Sequence, residues 1–222
     1  MSQSNRRKEL LGHAARCFRN AGMDQDACRC LKAAHRFSES ALIYQNMNQW
    51  LFAAQCFEQV NKWESAAYCY LNNHQPMDAA RCLIAANESL EAGWIMAHLV
   101  KNYKKAREIL IPLKPDHLED RLCRDLALGR CMSDRKKTDA GRSIRNVILH
   151  LNDLSPGPGR HRVMKWSFIL AMDVLDRPDL ISALFNAAKA ANIPDIQQKW
   201  DTWTETRLKY IKGIIPKEED IS

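Results

Sequence analysis

Glycine and proline are scarce in this chain, with eight of each among 222 residues. So low a content suits long helical stretches better than a β-sandwich, whose many turns depend on both residues. The alternation of apolar and polar residues that indicates a β-strand is also lacking. Because 46% of the residues are hydrophobic, the chain can bury a core. The composition therefore predicts an all-α protein of one large or two small domains.

Long apolar runs are missing as well. The nearest approach, residues 94–100, is far shorter than the roughly 18 residues that a membrane span needs. The polar start, residues 1–8, is followed by no apolar stretch of signal-peptide length. We therefore expect an intracellular protein, cytoplasmic or nuclear, that has no membrane partner. The formal net charge of +7 permits an acidic or phosphate-bearing partner without requiring one.

Signatures of catalysis are also absent from the sequence. We find no paired carboxylates, no nucleophile elbow and no Walker-type loop. The Pro- and Gly-rich stretch 155–159 lacks the Gly-Lys-Ser/Thr end of a P-loop, so we interpret it as a linker. The seven histidines show no metal-binding or catalytic spacing. These absences predict a protein that is not an enzyme and that uses no cofactor or metal.

What the sequence does contain is a repeat of 13 residues. Trp-Leu-Phe-Ala-Ala-Gln-Cys-Phe, from Trp50, is followed 13 residues later by Trp-Glu-Ser-Ala-Ala-Tyr-Cys-Tyr. Extending the alignment in both directions gives eight copies in phase without an insertion. With the first alanine as position one, the copies begin at Ala14, Ala27, Ser40, Ala53, Ala66, Ala79, Ala92 and Lys105.

Each copy has the pattern of one short helix and a turn. Positions one, four, five and eight fall on one helical face, and the small residues at positions one and two let neighbouring helices approach closely. Position nine favours the left-handed conformation that ends a helix. In the first six copies it is Gly22, His35, Asn48, Asn61, His74 and Asn87.

Helices of nine or ten residues are marginal alone in water, so the copies must stack. Two copies make a hairpin, and stacked hairpins make an α-solenoid. The pattern resembles the tetratricopeptide and SNAP-like helical-repeat superfamily, in the short variety found beside ATPase, helicase or propeller domains. The resemblance covers residues 8–112 and implies a right-handed α-α superhelix. Because the usual tetratricopeptide has about 34 residues, the resemblance implies the scaffold and not its usual mode of peptide binding.

Beyond residue 112 the repeat phase fails, and longer helices follow. We expect them to continue or cap the solenoid over residues 113–215, interrupted by the linker at 155–159. Pro178 and Pro194 are expected in first helical turns, where proline is tolerated. The charged tail 216–222 is expected to fray. The predicted helices are 116–132, 138–154, 162–175, 178–191 and 195–212.

The cysteines are the most tempting chemical site. Eight cysteines in a short secreted chain would suggest disulfides, but five of these share position four of the repeat. They are Cys17, Cys30, Cys56, Cys69 and Cys82. Because Ile43 and Ile95 occupy position four in other copies, we interpret it as a buried apolar position, where a thiol packs as a small hydrophobe. One cysteine per helix also converges poorly on zinc.

Two tryptophans, Trp50 and Trp63, share position eleven, just before their helices. A hydrophobic residue at a helix entrance commonly packs against the following turn, and this is the interpretation we favour. Alternatively, the two rings are aromatic anchors for a partner peptide along one edge of the solenoid.

Basic charge is concentrated in residues 130–165, where nine basic residues face three aspartates. A solvated helix face explains this charge, but the segment is also the best candidate for binding phosphate or an acidic protein. The basic residues are Arg130, Arg135, Lys136, Lys137, Arg142, Arg145, Arg160, Arg162 and Lys165.

Two functional hypotheses follow. The first is a non-enzymatic scaffold for protein–protein interaction, as an accessory region of a larger ATPase- or helicase-type assembly. The alternative is a nucleic-acid-associated helical-repeat protein that uses segment 130–165.

Overall fold

The chain is helical throughout its described length. A computed structural model describes residues 3–133 and 137–211, with Lys137 and residues 206–211 described by their backbone alone. These residues form thirteen α-helices, one 3₁₀ turn and one π-helical turn. No strand occurs among them, which confirms the predicted all-α class. Contacts divide the chain into two compact units, Met1–Leu113 and Lys114–Ser222.

The first unit contains eight helices, one for each copy of the repeat, of which the first has 18 residues and the others have 8–10. They are α1 Gln3–Asn20, α2 Asp24–Ala33, α3 Phe37–Asn46, α4 Trp50–Glu58, α5 Trp63–Asn72, α6 Pro76–Ala85, α7 Ser89–His98 and α8 Tyr103–Leu110. Each helix packs against the next along the chain. Alternate helices also touch, because Gln45 of α3 bonds to Cys69 of α5 and Arg81 of α6 pairs with Glu58 of α4. This is a helical-repeat architecture, as predicted, while the handedness of the superhelix stays a prediction.

One turn geometry ends the first six helices. Position nine has φ of 72° at Gly22 and of 55–64° at the His and Asn residues that replace it. In each turn the N–H of position ten bonds to the carbonyl of position five, as Lys62 does to Phe57 at 3.0 Å. The N–H of position nine bonds to the carbonyl of position six, as Asn61 does to Glu58 at 3.1 Å. This pair of bonds is the Schellman motif, and it confirms the predicted helix ends.

The residue at position ten also begins the next helix. Its carbonyl accepts the first bond of that helix, as Lys62 O does from the Ala66 N–H at 2.9 Å. None of the six residues at position ten uses its side chain as a cap. Because the residue at position ten both ends one helix and begins the next, these connections contain no additional residue, and the repeat period stays at 13.

The core of the first unit follows the repeat. Alanines at positions one and two, such as Ala53 and Ala54, are fully buried where helices meet. Large residues at position five, among them Tyr44, Phe57 and Tyr70, fill the spaces between helices. The small residues thus allow the close spacing of the helices, and the large residues bury apolar surface between them.

The eighth copy is not in phase, contrary to the sequence prediction. The left-handed residue after α7 is Lys101, with φ of 57°, rather than Val100. One extra residue therefore enters the connection, and the Ala106 N–H, bonded to Asn102 O, takes the place of position one. Ala106 and Leu110 are both completely buried, as positions one and five of a shifted copy should be.

The second unit is built from longer helices. They are α9 Leu118–Met132, α10 Lys137–His150, α11 Pro158–Phe168, α12 Pro178–Ala190 and α13 Ile196–Ile211. A 3₁₀ turn, Leu151–Asp153, follows α10, and a π-helical turn, Ile169–Val174, extends α11. Whether this unit continues or caps the solenoid stays a prediction.

Three predicted boundaries in the second unit are wrong. The linker ends at Gly157, because Pro158 is already the first residue of α11, a position that suits its fixed φ. The helix predicted to reach residue 154 ends at His150. Pro194 precedes α13 instead of lying in its first turn, since Asp195 is left-handed with φ of 59°. Pro178 does lie in the first turn of α12. The tail 216–222 lies outside the described residues.

Candidate interaction surfaces

Two thiols at position four, Cys69 and Cys82, are paired with position six of the helix two places earlier, while Cys56 Sγ donates to Ser40 Oγ of the preceding helix. Gln45 Nε2 donates a hydrogen bond to Cys69 Sγ at 3.3 Å. Cys82 Sγ donates to Glu58 Oε1, also at 3.3 Å, and Arg81 Nη2 donates to the same oxygen at 2.6 Å. These hydrogen bonds connect α3 to α5 and α4 to α6, so the thiols join alternate helices as well as filling space in the core.

Burial and these partners control the acidity of the thiols. Burial raises the pKa of Cys56 and Cys69, against the opposing effects of their polar neighbours Ser40 and Gln45. At Cys82 burial, together with the bond to Glu58, raises the pKa to about 12. A buried thiol with so high a pKa stays protonated and is a poor nucleophile and a poor metal ligand. The arrangement is a packing device rather than a reactive centre.

Cys17 corrects the prediction that every position-four cysteine is buried. It is exposed, whereas Cys56, Cys69 and Cys82 are buried and Cys30 is half-buried. Position four is covered from the helix two places earlier, and α1 is the first helix that the structure describes. None of the eight cysteines forms a disulfide bond. Among the described residues, no three His, Cys, Asp or Glu side chains are grouped so that they could hold a metal ion.

Trp50 and Trp63 are half-buried and pack against the core of the first unit, as the favoured interpretation predicted. Two aromatic residues nearby are instead exposed, Phe52 and Tyr68, and Tyr68 is the more accessible at 56%. Its ring makes an edge contact with Trp50 at a centroid distance of 6.1 Å. Trp50 therefore packs against an exposed tyrosine, and Tyr68 is the more solvent-accessible of the two rings.

Position three alternates in character from α3 to α6, although α1 has the exposed Arg16 there and α7 the buried Trp94. The odd-numbered helices α3 and α5 expose Leu42 and Tyr68 there, whereas the even-numbered α4 and α6 expose Gln55 and Arg81. Leu42 is 55% accessible. Because α3 and α5 contact each other through Gln45 and Cys69, equivalent positions on them lie along one side of the stack. Leu42 and Tyr68, with Trp50 packed against Tyr68, form what we call the apolar row.

The predicted basic segment does not form one surface. Arg130 is buried and donates to Ser133 Oγ at 2.7 Å, while Arg162 is half-buried and paired with Asp120. Arg142 and Arg145 are exposed on α10. Arg135 and Lys136 lie outside the described residues, and of Lys137 only the backbone is described. Charge clustered along the chain is spread by the helices over separate places, so whether the segment binds phosphate or protein stays a prediction.

The remaining two basic residues, Arg160 and Lys165, line a cleft in the second unit. The cleft has a volume of about 1030 Å³ and lies between α11 with its π-helical turn and the first two turns of α13. A chain of aromatic contacts crosses the unit beside it, from Phe168 to Phe185 at 4.6 Å and from Phe185 to Trp200 at 4.8 Å. Trp200 in turn contacts Trp203, which lines the cleft.

No protein-family model, curated protein or solved structure matches the chain. None of the described helices combines the length and apolarity that crossing a membrane requires.

The sequence analysis missed the apolar row and the cleft. A sequence pattern does indicate the apolar row. From α3 to α6, position three is apolar at Leu42 and Tyr68 and polar at Gln55 and Arg81. No sequence pattern indicates the cleft, because its two walls come from segments on either side of α12 that meet only in the folded structure.

Proposed function

We propose that the chain is a non-enzymatic helical-repeat scaffold that binds another protein through the apolar row. The observation that supports this proposal is the exposure of Leu42 and Tyr68 at equivalent positions of two packed helices. Neither side chain is needed to fill the core, because positions one, two, four and five already do so. Large exposed apolar residues on a rigid stack suit the centre of a protein interface.

The finer identity is also a proposal. The 13-residue unit, with small residues at positions one and two, supports a scaffold of the tetratricopeptide or SNAP-like kind. Its resemblance to repeats found beside ATPase or helicase domains supports a role as an accessory region of such an assembly. The eight free thiols suit a reducing compartment, so we place the protein in the cytoplasm or nucleus.

The experiment is affinity purification from native lysate with the intact chain as bait. The double variant Leu42→Glu with Tyr68→Glu should lose a stoichiometric protein partner that the unaltered chain retains. Gln55→Glu is the control for each single substitution, since it adds one negative charge at position three of an even-numbered helix. Because all three side chains are exposed, thermal unfolding should be nearly unchanged. Recovery of the same partner by the double variant would refute the proposal.

Contact with nucleic acid is the second candidate, and the exposed Arg142 and Arg145 on α10 favour it. A labelled single-stranded oligonucleotide should then bind with an affinity that falls steeply with salt. Changing both arginines to glutamate should weaken that binding. Binding that is absent at low salt would eliminate this candidate.

A further inference from the structure

A groove in the first unit has more positive than negative charge in its lining. It has a volume of about 250 Å³ and lies between α1 and α3, where the buried Leu31 of α2 also lines it. Its charged residues are three arginines and one glutamate, which gives a net charge of +2: Arg16, Arg19, Arg36 and Glu39. We call it the arginine groove. Because small-molecule sites usually have roughly 300–1,000 Å³, this groove suits the side chains of a partner better than a cofactor.

One of the three arginines is neutralised within the groove. Arg36 precedes α3 and donates two hydrogen bonds to Glu39, from Nε at 2.5 Å and from Nη2 at 2.6 Å. Its guanidinium also lies against the buried Gly12 of α1, where an added Cβ would come within 2.5 Å of Arg36 Nη1. The missing side chain at Gly12 therefore lets the guanidinium approach α1. No other carboxylate of the described residues lines the groove.

The other two arginines have no carboxylate partner in the part of the chain that the structure describes. Arg16 contacts His13 of its own helix at 3.0 Å, and no ion pair between described residues includes Arg16 or Arg19. Both side chains are exposed on α1. Cations without a local counter-ion attract anions, so the arginine groove favours an acidic occupant.

The arginine groove adjoins the apolar row, because Leu42 belongs to both. Position three is Arg16 in α1, Leu42 in α3 and Tyr68 in α5, so the basic and apolar residues occupy equivalent places on successive odd-numbered helices. An acidic side chain in the groove and an apolar side chain on Leu42 must therefore come from one short segment of a partner.

We propose that the arginine groove binds an Asp or Glu side chain of the protein that covers the apolar row. The carboxylate accepts hydrogen bonds from the Arg16 and Arg19 guanidinium groups, and an apolar residue close to it in the same segment packs on Leu42. Nucleic acid is disfavoured, because it requires a longer row of cations along its phosphate backbone than two arginines beside an aliphatic side chain. The inference rests on the proposed function and adds the chemistry of the partner to it.

The test is a selection of displayed random peptides on the intact chain. Binders that also recognise the double variant Leu42→Glu with Tyr68→Glu are discarded, so the remaining peptides need the apolar row. Packed helices lie about 10 Å apart and an extended chain advances about 3.3 Å per residue, so these peptides should carry Asp or Glu within about three residues of a large apolar residue.

Labelled synthetic copies of these peptides should bind the double variant Arg16→Glu with Arg19→Glu at least about tenfold more weakly. The matched control is Lys104→Glu with Arg107→Glu, which changes the net charge equally at exposed positions of α8 and should bind normally. Because all four side chains are exposed, melting curves should show that both variants fold.

A change in the peptide tests the same contact without altering the chain. Replacing the acidic residue of the peptide with asparagine or glutamine should weaken binding to the unaltered chain by a similar factor. It should make no further difference to the Arg16 and Arg19 variant, because the interaction that it removes is already lost there.

The possible failures of the two proposals can be told apart. Row-dependent binders without acidic residues, or an affinity unchanged by the Arg16 and Arg19 reversals, would overturn the inference and leave the proposed function standing. If no binder distinguishes the unaltered chain from the Leu42 and Tyr68 variant, the proposed function fails and the inference fails with it. Displacement of the labelled peptides by an equal concentration of single-stranded oligonucleotide would assign the arginine groove to nucleic acid instead.

Discussion

In two cases, position six of one helix is bonded to position four of the helix two places later, whereas Cys56 bonds to Ser40 instead of Lys32. The polar residues Gln45 and Glu58 precede Cys69 and Cys82 by 24 positions each, and both pairs are bonded. Leu71 precedes Ile95 by the same interval, so an apolar residue there accompanies an apolar residue at position four. A thiol can donate to a carboxylate, accept from an amide or pack as a hydrophobe. This versatility explains why cysteine recurs at a buried position that has different polar neighbours.

The buried thiols make the stability of the chain sensitive to alkaline pH. The pKa of Cys82 rises from its ordinary value of 9.0 to about 12, first through burial and then through Glu58. Above pH 9 the unfolded chain therefore loses a proton that the folded chain keeps. The stabilising contribution is complete below pH 9 and is lost as the pH rises towards 12, at about 1.4 kcal/mol per pH unit for each such proton.

The expected result is a free energy of unfolding that falls between pH 9 and 11, measured by urea titration at several pH values. Cys82→Ala should reduce the slope by about one proton. Cys17→Ala is the control, because it removes a thiol from an exposed position. Equal slopes in the Cys82 variant and the unaltered chain would contradict the prediction.

At the scale of helices, the sequence determined more of the first unit than of the second. The helix ends at Asn48, Asn61 and Asn87 could be predicted because position nine must adopt a conformation that few residues tolerate. The slip at Lys101 could not be predicted, since neither Val100 nor Lys101 belongs to the residue types that favour it. In the second unit the wrongly predicted helix starts lie beside prolines, at Pro158 and Pro194, and a proline signals a break without specifying on which side of it the helix begins.

Candidate sites were harder to predict than helices. The repeat correctly placed Trp50 and Trp63 against the core, but exposure at Tyr68 depends on which side of the helix its neighbours cover. Charge density along the chain likewise could not reveal that Arg130 is buried and Arg162 is paired. Residues that are close in sequence lie on the same surface only when they fall on one face of a helix.

Gly93 shows how packing between helices reverses an expectation from the repeat. It occupies position two, where most copies have alanine, and a glycine in a helix costs up to about 1 kcal/mol relative to alanine. The repeat alone therefore suggests that Gly93→Ala is stabilising. In the structure an added Cβ would overlap the side chain of Leu110, which is fully buried in α8. Such overpacking typically costs about 1–3 kcal/mol, so the net effect should be destabilising.

Chemical unfolding of Gly93→Ala, and of the double variant Gly93→Ala with Leu110→Ala, measures the free-energy cost of the overlap. Leu110→Ala alone should be strongly destabilising because it opens a cavity, by about 2–5 kcal/mol. If the overlap is real, adding Gly93→Ala to that variant should cost less than adding it to the unaltered chain. Strictly additive effects, or a stabilised single variant, would contradict the proposed overlap.

At the scale of the whole molecule, stability should be distributed along the chain rather than shared uniformly. Helices in the first unit contact their neighbours and next neighbours, and contacts cluster separately in Met1–Leu113 and Lys114–Ser222. In such an array a local change is felt mainly by adjacent repeats, unlike in a single globular core. A destabilising substitution in one turn should therefore reduce the stability of only the helices close to it.

Asn61→Val is such a destabilising substitution, in the turn between α4 and α5. Asn61 has φ of 55°, and a β-branched residue in that region should cost roughly 1–2 kcal/mol, whereas Asn61→Gly should be nearly neutral. Hydrogen exchange followed by mass spectrometry should show reduced protection of α3 to α6 in the valine variant alone. Protection of α9 to α12 should be unchanged. An equal loss in both units would mean that the chain unfolds as one cooperative body, and the one-dimensional account of its stability would be wrong.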